Sequence, residues 1–277
     1  MNRIWFLFLF FTSFGGNGQN IALQDSIRID IPASYTFFRA DIFNSLYFFS
    51  NEENSLLKYN PNTKETYFLK DFTPSKKLFI VNPLFLVVLN KINKTLAFYD
   101  DKLIATQDKI PILTSQIINP DLIFIEDNNS LTYFDEFATG RFIQYDYRVH
   151  KDIIFSNSLY DEISVNKSFK EIYLYKNFKF LLLQRTGPND SIKNNYTIIK
   201  QNIQNAITYN ISNVDFHYWN DKNFLWITDD HLYSYDFENE AKKIKLPQKG
   251  EGYYIFNQQL FLWKPKVMYL YKLETEN

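Results

Sequence analysis

A single all-β ring of repeated four-stranded units is the fold class this chain predicts, and three observations carry it. Between residues 215 and 273 one pattern runs through twice: short apolar runs at 216–219, 224–227, 232–235 and 244–246, then at 253–256, 260–263 and 267–271, each separated by polar turn residues. A period of about forty residues with four strands is the spacing of a β-propeller blade. An aromatic followed by Asp or Asn recurs at strand ends, as Tyr59-Asn60, Tyr99-Asp100, Phe134-Asp135 and Tyr235-Asp236. The ring is suited to packing between neighbouring blades while the carboxylate or amide caps the turn. Finally, Ile29-Asp30-Ile31-Pro32 resembles Ile244-Lys245-Leu246-Pro247, the fourth strand of the unit that starts at Asp215, whereas the second copy has only three strands before Asn277. An N-terminal strand that completes the last blade explains both ends.

Taken in order, residues 1–18 predict a signal peptide. Arg3 precedes an apolar run at 4–11, and Gly16 and Gly18 place small residues before Gln19, the pattern of signal-peptidase cleavage. The run is well below the roughly 20 residues that span a bilayer. Residues 19–277 then form one propeller domain. Isoleucines 27, 29 and 31 alternate with Ser26, Arg28 and Asp30 as a half-buried strand ended by Pro32. The first full blade reads 35–39, 46–49, 56–59 and 66–69, with Asn60-Pro61-Asn62 as a turn; the second reads 78–81, 84–89, 96–99 and 103–106; the third reads 112–118, 122–125, 131–134 and 141–145. Register is lost from Tyr147 to Ser212. There 171–175, 178–184, 196–200 and 206–211 make one blade and leave 153–165 as an extra hairpin or half of a degenerate seventh blade. The prediction is six four-stranded blades, with seven as the alternative.

Composition bounds the function. Thirty basic and thirty-one acidic residues are interspersed for a net charge of −1, which gives no basis for nucleic-acid binding. Twenty-eight Phe and twenty Tyr supply core volume suited to β-sheet packing. Cysteine is absent, which excludes disulfides, thiolate metal sites, a cysteine nucleophile and a cysteine-linked lipid anchor. Expected localisation is therefore export to the periplasm or the outer-membrane surface, not as a lipoprotein.

A search for chemistry yields little. Asp229-Asp230-His231 sets two carboxylates beside an imidazole, but inter-strand turns favour Asp for local backbone bonds. His217 lies in an aromatic strand and reads as a packed histidine, and His150 sits in the irregular region. Glu126-Asp127-Asn128-Asn129 lacks the loop spacing of a calcium site. Ser75-Lys76-Lys77 and the basic run 242–245 read as solvated edge-strand lysines. No Gly-rich phosphate loop, zincin helix or nucleophile elbow is present. The expectation is no catalytic, cofactor or metal residues. Two features are better placed for partner binding: the turn-rich loop 186–191, with Gly187, Pro188, Asn189 and Asp190, and the tryptophans Trp219, Trp226 and Trp263 of the last two units if they face outward.

In period and in its Tyr-Asp strand endings, the chain from residue 19 onward resembles secreted bacterial six- or seven-bladed β-propellers of the WD40-like and NHL-like kind. It lacks the Gly-His and Trp-Asp signatures of true WD40 blades. The function that fits export and an empty catalytic inventory is a non-catalytic interaction scaffold of the cell envelope, such as an accessory subunit of an outer-membrane assembly or protein-secretion complex. The alternatives are a propeller hydrolase or lyase using the central channel, which needs convergent polar groups there, and a polysaccharide-binding module using exposed aromatics.

Overall fold

The structure is a computed structural model that describes residues 21–273 apart from 115–116, 126, 128, 155, 164–166, 186–193, 203–204, 221–222 and 257–258. In chain order the strands are β1 (Ile21–Arg28), β2 (Thr36–Ala40), β3 (Leu46–Ser50), β4 (Ser55–Asn60), β5 (Glu65–Leu69), β6 (Lys76–Asn82), β7 (Phe85–Asn90), β8 (Thr95–Tyr99), β9 (Ile110–Pro111), β10 (Ile123–Ile125), β11 (Ser130–Asp135) and β12 (Arg141–Asp146). They continue as β13 (Lys151–Ile154), β14 (Lys167–Tyr175), β15 (Phe178–Arg185), β16 (Asn194–Gln201), β17 (Ala206–Val214), β18 (Phe216–Asn220), β19 (Asn223–Thr228), β20 (His231–Tyr235), β21 (Lys242–Lys245), β22 (Gly252–Phe256), β23 (Gln259–Lys264) and β24 (Val267–Leu273). They pair into six antiparallel sheets of four. Blades 1 to 5 are β2–β5, β6–β9, β10–β13, β14–β17 and β18–β21, and blade 6 has the order β22, β23, β24, β1. This is a six-bladed β-propeller whose last blade draws its outer strand from the N-terminal end.

The strand endings work as Asx caps. The Oδ1 atom of Asn60 accepts the N–H groups of Asn62 and Thr63 at 3.0 and 3.3 Å. Asp100 accepts those of Lys102 and Ile104 at 2.9 and 2.8 Å, and Asp236 those of Glu238 and Asn239 at 3.0 and 2.9 Å. A short polar side chain thereby satisfies turn N–H groups that would otherwise lack a partner. In blade 3 the third-strand pair is Tyr145-Asp146, whose Oδ1 accepts from Arg148 and Val149 at 2.8 and 3.2 Å. Phe134-Asp135 instead closes the second strand and caps the turn at Phe137–Thr139. The preceding rings act as expected: Tyr59, Tyr99, Tyr145 and Tyr235 all pack into clusters between blades.

Six apolar clusters fill the six gaps between blades, so the core is a ring of interfaces rather than one centre. The gap between blades 6 and 1 holds Phe37, Phe48, Leu57, Phe261, Trp263 and Met268, joined by Ile29 and Ile31 from the N-terminal segment. Strand β1 pairs antiparallel with β24, Ile27 opposite Met268 and Arg28 opposite Val267. The expected partner strand is right, but the pairing begins upstream at Ile21. Ile29 and Ile31 lie past the end of β1, yet are buried at 0% and 6% exposure, and the Ile29 N–H still bonds the Lys266 carbonyl at 2.9 Å. In the same gap Gly252 of β22 lies against blade 1, where an added Cβ would stand 2.7 Å from the Phe37 carbonyl oxygen.

Three sequence expectations need correction. Of the expected strand 112–118, residues 112–114 and 117–118 form none and 115–116 lie outside the described residues; Ile112 and Ile117 are apolar because they plug the gap between blades 2 and 3. The fourth strand of blade 2 is β9, only two residues long, because Pro111 cannot extend a ladder. The segment 103–106 is a turn carrying a single bridge from Ala105 to Tyr99, with Leu103 at φ 61°. In consequence blade 3 starts one strand later than its sequence pattern suggests, and its outer strand is β13. That absorbs the first part of 153–165, and a 3-10 turn at Tyr160–Glu162 carries Leu159 into the gap between blades 3 and 4. Among the described residues no half-blade remains over.

Candidate functional site

In an antiparallel meander, the turns after first and third strands lie on one face of the ring, and the turns after second strands, with the blade-to-blade connections, lie on the other. The first strands β2, β6, β10, β14, β18 and β22 line the central channel. Most of their residues are apolar or aromatic, which makes the exceptions informative.

A polar cluster spans the inner strands of blades 2, 4 and 5. Glu171 sits just past an irregularity in β14 between Phe169 and Glu171. Its Oε1 accepts the Trp219 indole N–H at 2.9 Å and meets His217 Nε2 at 3.3 Å. Trp219 and His217 alternate with Tyr218 along β18, so both face blade 4 while Tyr218 faces blade 6 against Tyr254. The His217 ring lies between Tyr196 and Phe224, and Trp219 stacks on Tyr173 at 4.9 Å and 6°. Burial pushes the Glu171 carboxyl up, but the bond to and charge of His217, the Lys77 ammonium and the Trp219 N–H together outweigh it and hold the group below its ordinary value. Lys77 of β6 donates to the carbonyls of Asp121 and Ile123 at 3.3 and 3.4 Å. Its burial lowers the ammonium pKa against the attraction of Glu171 and Asp121. Asp121 in turn pairs with Lys91 at 2.9 Å. Glu171, His217 and Trp219 thus tie blade 4 to blade 5, while Lys77, Lys91 and Asp121 tie blade 2 to the start of blade 3, with Lys77 and Glu171 attracting each other between the two groups.

Lys77 does stand on an edge strand, as its sequence reading has it, but on the inner edge of blade 2 that lines the channel, where it is partly buried rather than fully solvated. The basic run of β21 is an outer strand as expected, with Lys242, Lys243 and Lys245 exposed around buried Ile244. His217 is a packed histidine that also contacts a carboxylate. Residues 77, 171 and 217 are too far apart in sequence for spacing to reveal the cluster. The available signal was a polar residue within otherwise apolar first strands.

The other sequence candidates are placed as follows. Asp230 and His231 pair with each other at 2.6 Å in the β19–β20 turn, and the Asp229 N–H bonds Asp215 at 2.8 Å. The Asp127 carboxylate accepts the N–H groups of Asn129 and Ser130, both at 2.7 Å, as a local turn cap. His150 bonds the Tyr145 hydroxyl at 2.8 Å. Gly187, Pro188, Asn189 and Asp190 lie outside the described residues. Trp263 is 2% exposed between blades 6 and 1, and Trp226 is 8% exposed between blades 4 and 5. Alternation turns both into blade interfaces, and Trp226 also lines the cavity that opens between blades 4 and 5. Trp219 is half-buried in the cluster above.

Exposed apolar side chains lie elsewhere. On the face formed by first-to-second and third-to-fourth turns, Ile42, Phe43, Leu84, Ile104 and Val149 are each more than half exposed, and all belong to blades 1, 2 and 3. The opposite face repeats the bias with Ile92, Leu113, Ile118 and Phe137. Among the described residues, the turns of blades 5 and 6 contribute no large exposed hydrophobic.

No protein-family model matches the chain, and no characterised protein matches it by sequence. Solved structures do match over nearly its whole length. Virginiamycin B lyase from Staphylococcus aureus aligns over 92% of this chain and 100% of its own, with a TM-score of 0.53 and 10% identity. The gluconolactonase XC5397 from Xanthomonas campestris aligns over 91% and 98%, with a TM-score of 0.51 and 8% identity. A chain of the mitotic checkpoint complex aligns over 99% of each, with a TM-score of 0.51 and 9% identity. At such identities the likeness is one of fold. The propeller is common to two enzymes and a component of a protein assembly, so it leaves function to the site.

Proposed function

We propose that this protein is an exported, non-catalytic interaction module of the bacterial cell envelope, an accessory subunit of an outer-membrane assembly or protein-secretion complex. The supporting observation is the sector of apolar turn tips on blades 1 to 3: Ile42, Phe43, Leu84, Ile104 and Val149 share one face, where the described turn residues of blades 5 and 6 contribute no large exposed hydrophobic. Scattered surface leucines need no explanation, but apolar tips gathered on one side of a rigid ring are suited to holding a partner. This moves the expected surface away from the tryptophans of the last two blades. The test is affinity purification of the native protein from its membrane fraction, beside a Leu84→Ser/Ile104→Ser/Val149→Ser variant. A specific envelope protein is expected with the native chain and lost with the variant, at unchanged thermal stability.

One observation favours a second reading, a channel enzyme: a carboxylate and an imidazole at 3.3 Å, with a lysine ammonium near them, are groups that acid–base chemistry uses. If the purified protein is monomeric and partner-free yet turns over a substrate, and Glu171→Gln or His217→Asn abolishes turnover, this reading replaces the first.

A further inference from the structure

A propeller ends each blade in an outer strand with one unpaired backbone edge, and natural proteins protect such edges with charge, proline or brevity. Among the six outer strands here, five follow that rule. Strand β1 carries Asp25 and Arg28, β5 carries Glu65, β9 is two residues long with Pro111, β13 carries Lys151 and Asp152, and β21 carries three lysines. Strand β17 does not. Its nine residues, Ala-Ile-Thr-Tyr-Asn-Ile-Ser-Asn-Val, contain no charge and no proline, and it is the longest of the six. Thr208, Asn210 and Ser212 are exposed along it, and Ile207 is 53% exposed.

This open edge borders a cavity of about 920 Å³ between blades 4 and 5. Tyr209 and Asn210 of β17 form one wall, Trp226 and Tyr233 of blade 5 the other, and Glu238 and Glu240 lie at its rim in the turn before β21. Strand β21 has only four residues, so the face of blade 5 is left uncovered at the periphery beside a longer neighbour.

We infer that the β17 edge and this groove form a strand-addition site for an extended basic peptide segment of another protein. The peptide backbone would continue the blade 4 ladder, and alternate side chains would enter the groove. Aromatic walls suit the aliphatic stems of Lys or Arg, and the two carboxylates suit their cationic heads. Charge complementarity selects this occupant over a β17-to-β17 pairing of two copies, because β17 itself offers no cation to Glu238 and Glu240. The site lies on the outer wall and is separate from the turn tips, so it stands or falls independently of them.

The test uses residues 19–277 and three fluorescent nine-residue peptides: one alternating Val with Lys and Thr, its counterpart with Glu for Lys, and a version of the first interrupted by proline. Anisotropy is expected to show binding of the Lys peptide only. Binding should weaken at least ten-fold in Thr208→Lys/Ser212→Lys, which charges the edge, and in Glu238→Lys/Glu240→Lys, which reverses the rim. Hydrogen exchange should slow at residues 207–213 when the Lys peptide is added. Leu84→Ser/Val149→Ser should bind it normally, so loss of partner binding at the turn tips and failure of this site are distinguishable. The inference is overturned if the Lys peptide does not bind, if the Glu peptide binds equally, or if both double variants retain full affinity. It is also overturned if sedimentation shows a dimer that Thr208→Lys/Ser212→Lys dissociates, or if a neutral oligosaccharide occupies the groove where the peptide does not.

Discussion

Replacing Ile29 by Ala perturbs the ring at its closing seam. Ile29 is fully buried between the first and last blades, past the end of β1, and its N–H bonds the Lys266 carbonyl of blade 6. Removing the branched end of such a side chain costs about 2–5 kcal/mol, transfer and residual cavity together. In a domain of this size each kcal/mol shifts Tm by roughly 2–4 °C, so a loss of about 3 kcal/mol lowers Tm by roughly 6–12 °C. Deleting residues 19–31 removes Ile31 as well and bares the β24 edge. Two buried isoleucines contribute about 3–6 kcal/mol, a large share of the roughly 5–15 kcal/mol that holds a folded domain. Circular-dichroism melts of the parent, Ile29→Ala and the truncation are the assay. A graded loss, largest for the truncation, is expected. An unchanged Tm in both would show that the N-terminal strand does not bear the closure.

Further outcomes follow from other contacts. Gly252→Ala forces a methyl against the Phe37 carbonyl oxygen, a backbone atom, and should destabilise by about 1–3 kcal/mol in urea unfolding. The Glu171 carboxyl is held below its ordinary pKa in the folded protein, so it contributes stability above the unfolded carboxylate range near 4, lost as pH falls through its lower folded value; Glu171→Gln should flatten that acid limb of the stability profile. Asp41 is buried and takes the N–H groups of Phe43 and Ser45, the Tyr47 hydroxyl and the Lys58 ammonium, the last at 3.8 Å. Asp41→Ala removes the nearest carboxylate from that buried cation, leaving it the Tyr47 ring and the attraction of Asp100 and Asp101, and should cost about 3 kcal/mol in denaturant, whereas Asp41→Ala with Lys58→Met should recover much of the loss.

Most of the architecture was legible because each strand is short, apolar and bounded by an Asx turn. Blades 1, 4, 5 and 6 required only end adjustments, and the N-terminal closure followed from matching Ile29–Pro32 to Ile244–Pro247. Blades 2 and 3 slipped for a definite reason: Ile112 and Ile117 are apolar to fill an inter-blade gap, and a buried connection reads like a buried strand when only hydrophobicity is scored. Once one connection was counted as a strand, Phe134-Asp135 took the place of Tyr145-Asp146 as the third-strand ending. The site was less legible. Lys77, Glu171 and His217 belong to three blades and meet only in the closed ring, and Trp226 and Trp263 turn inward through alternation whose phase depends on register. The unprotected edge of β17 was in the sequence, but it is an exception only when compared with five other outer strands, whose positions the topology supplies.

The interaction function is tested most directly by site-specific photo-crosslinking in the native host. A photoreactive residue is placed at Leu84, on the apolar sector, and in a separate strain at Lys242, an exposed site on blade 5. The expected result is one discrete adduct with an envelope protein from position 84 and none from position 242. Equal labelling from both positions, or no adduct from 84 while the purified chain shows turnover that depends on Glu171 and His217, would contradict it.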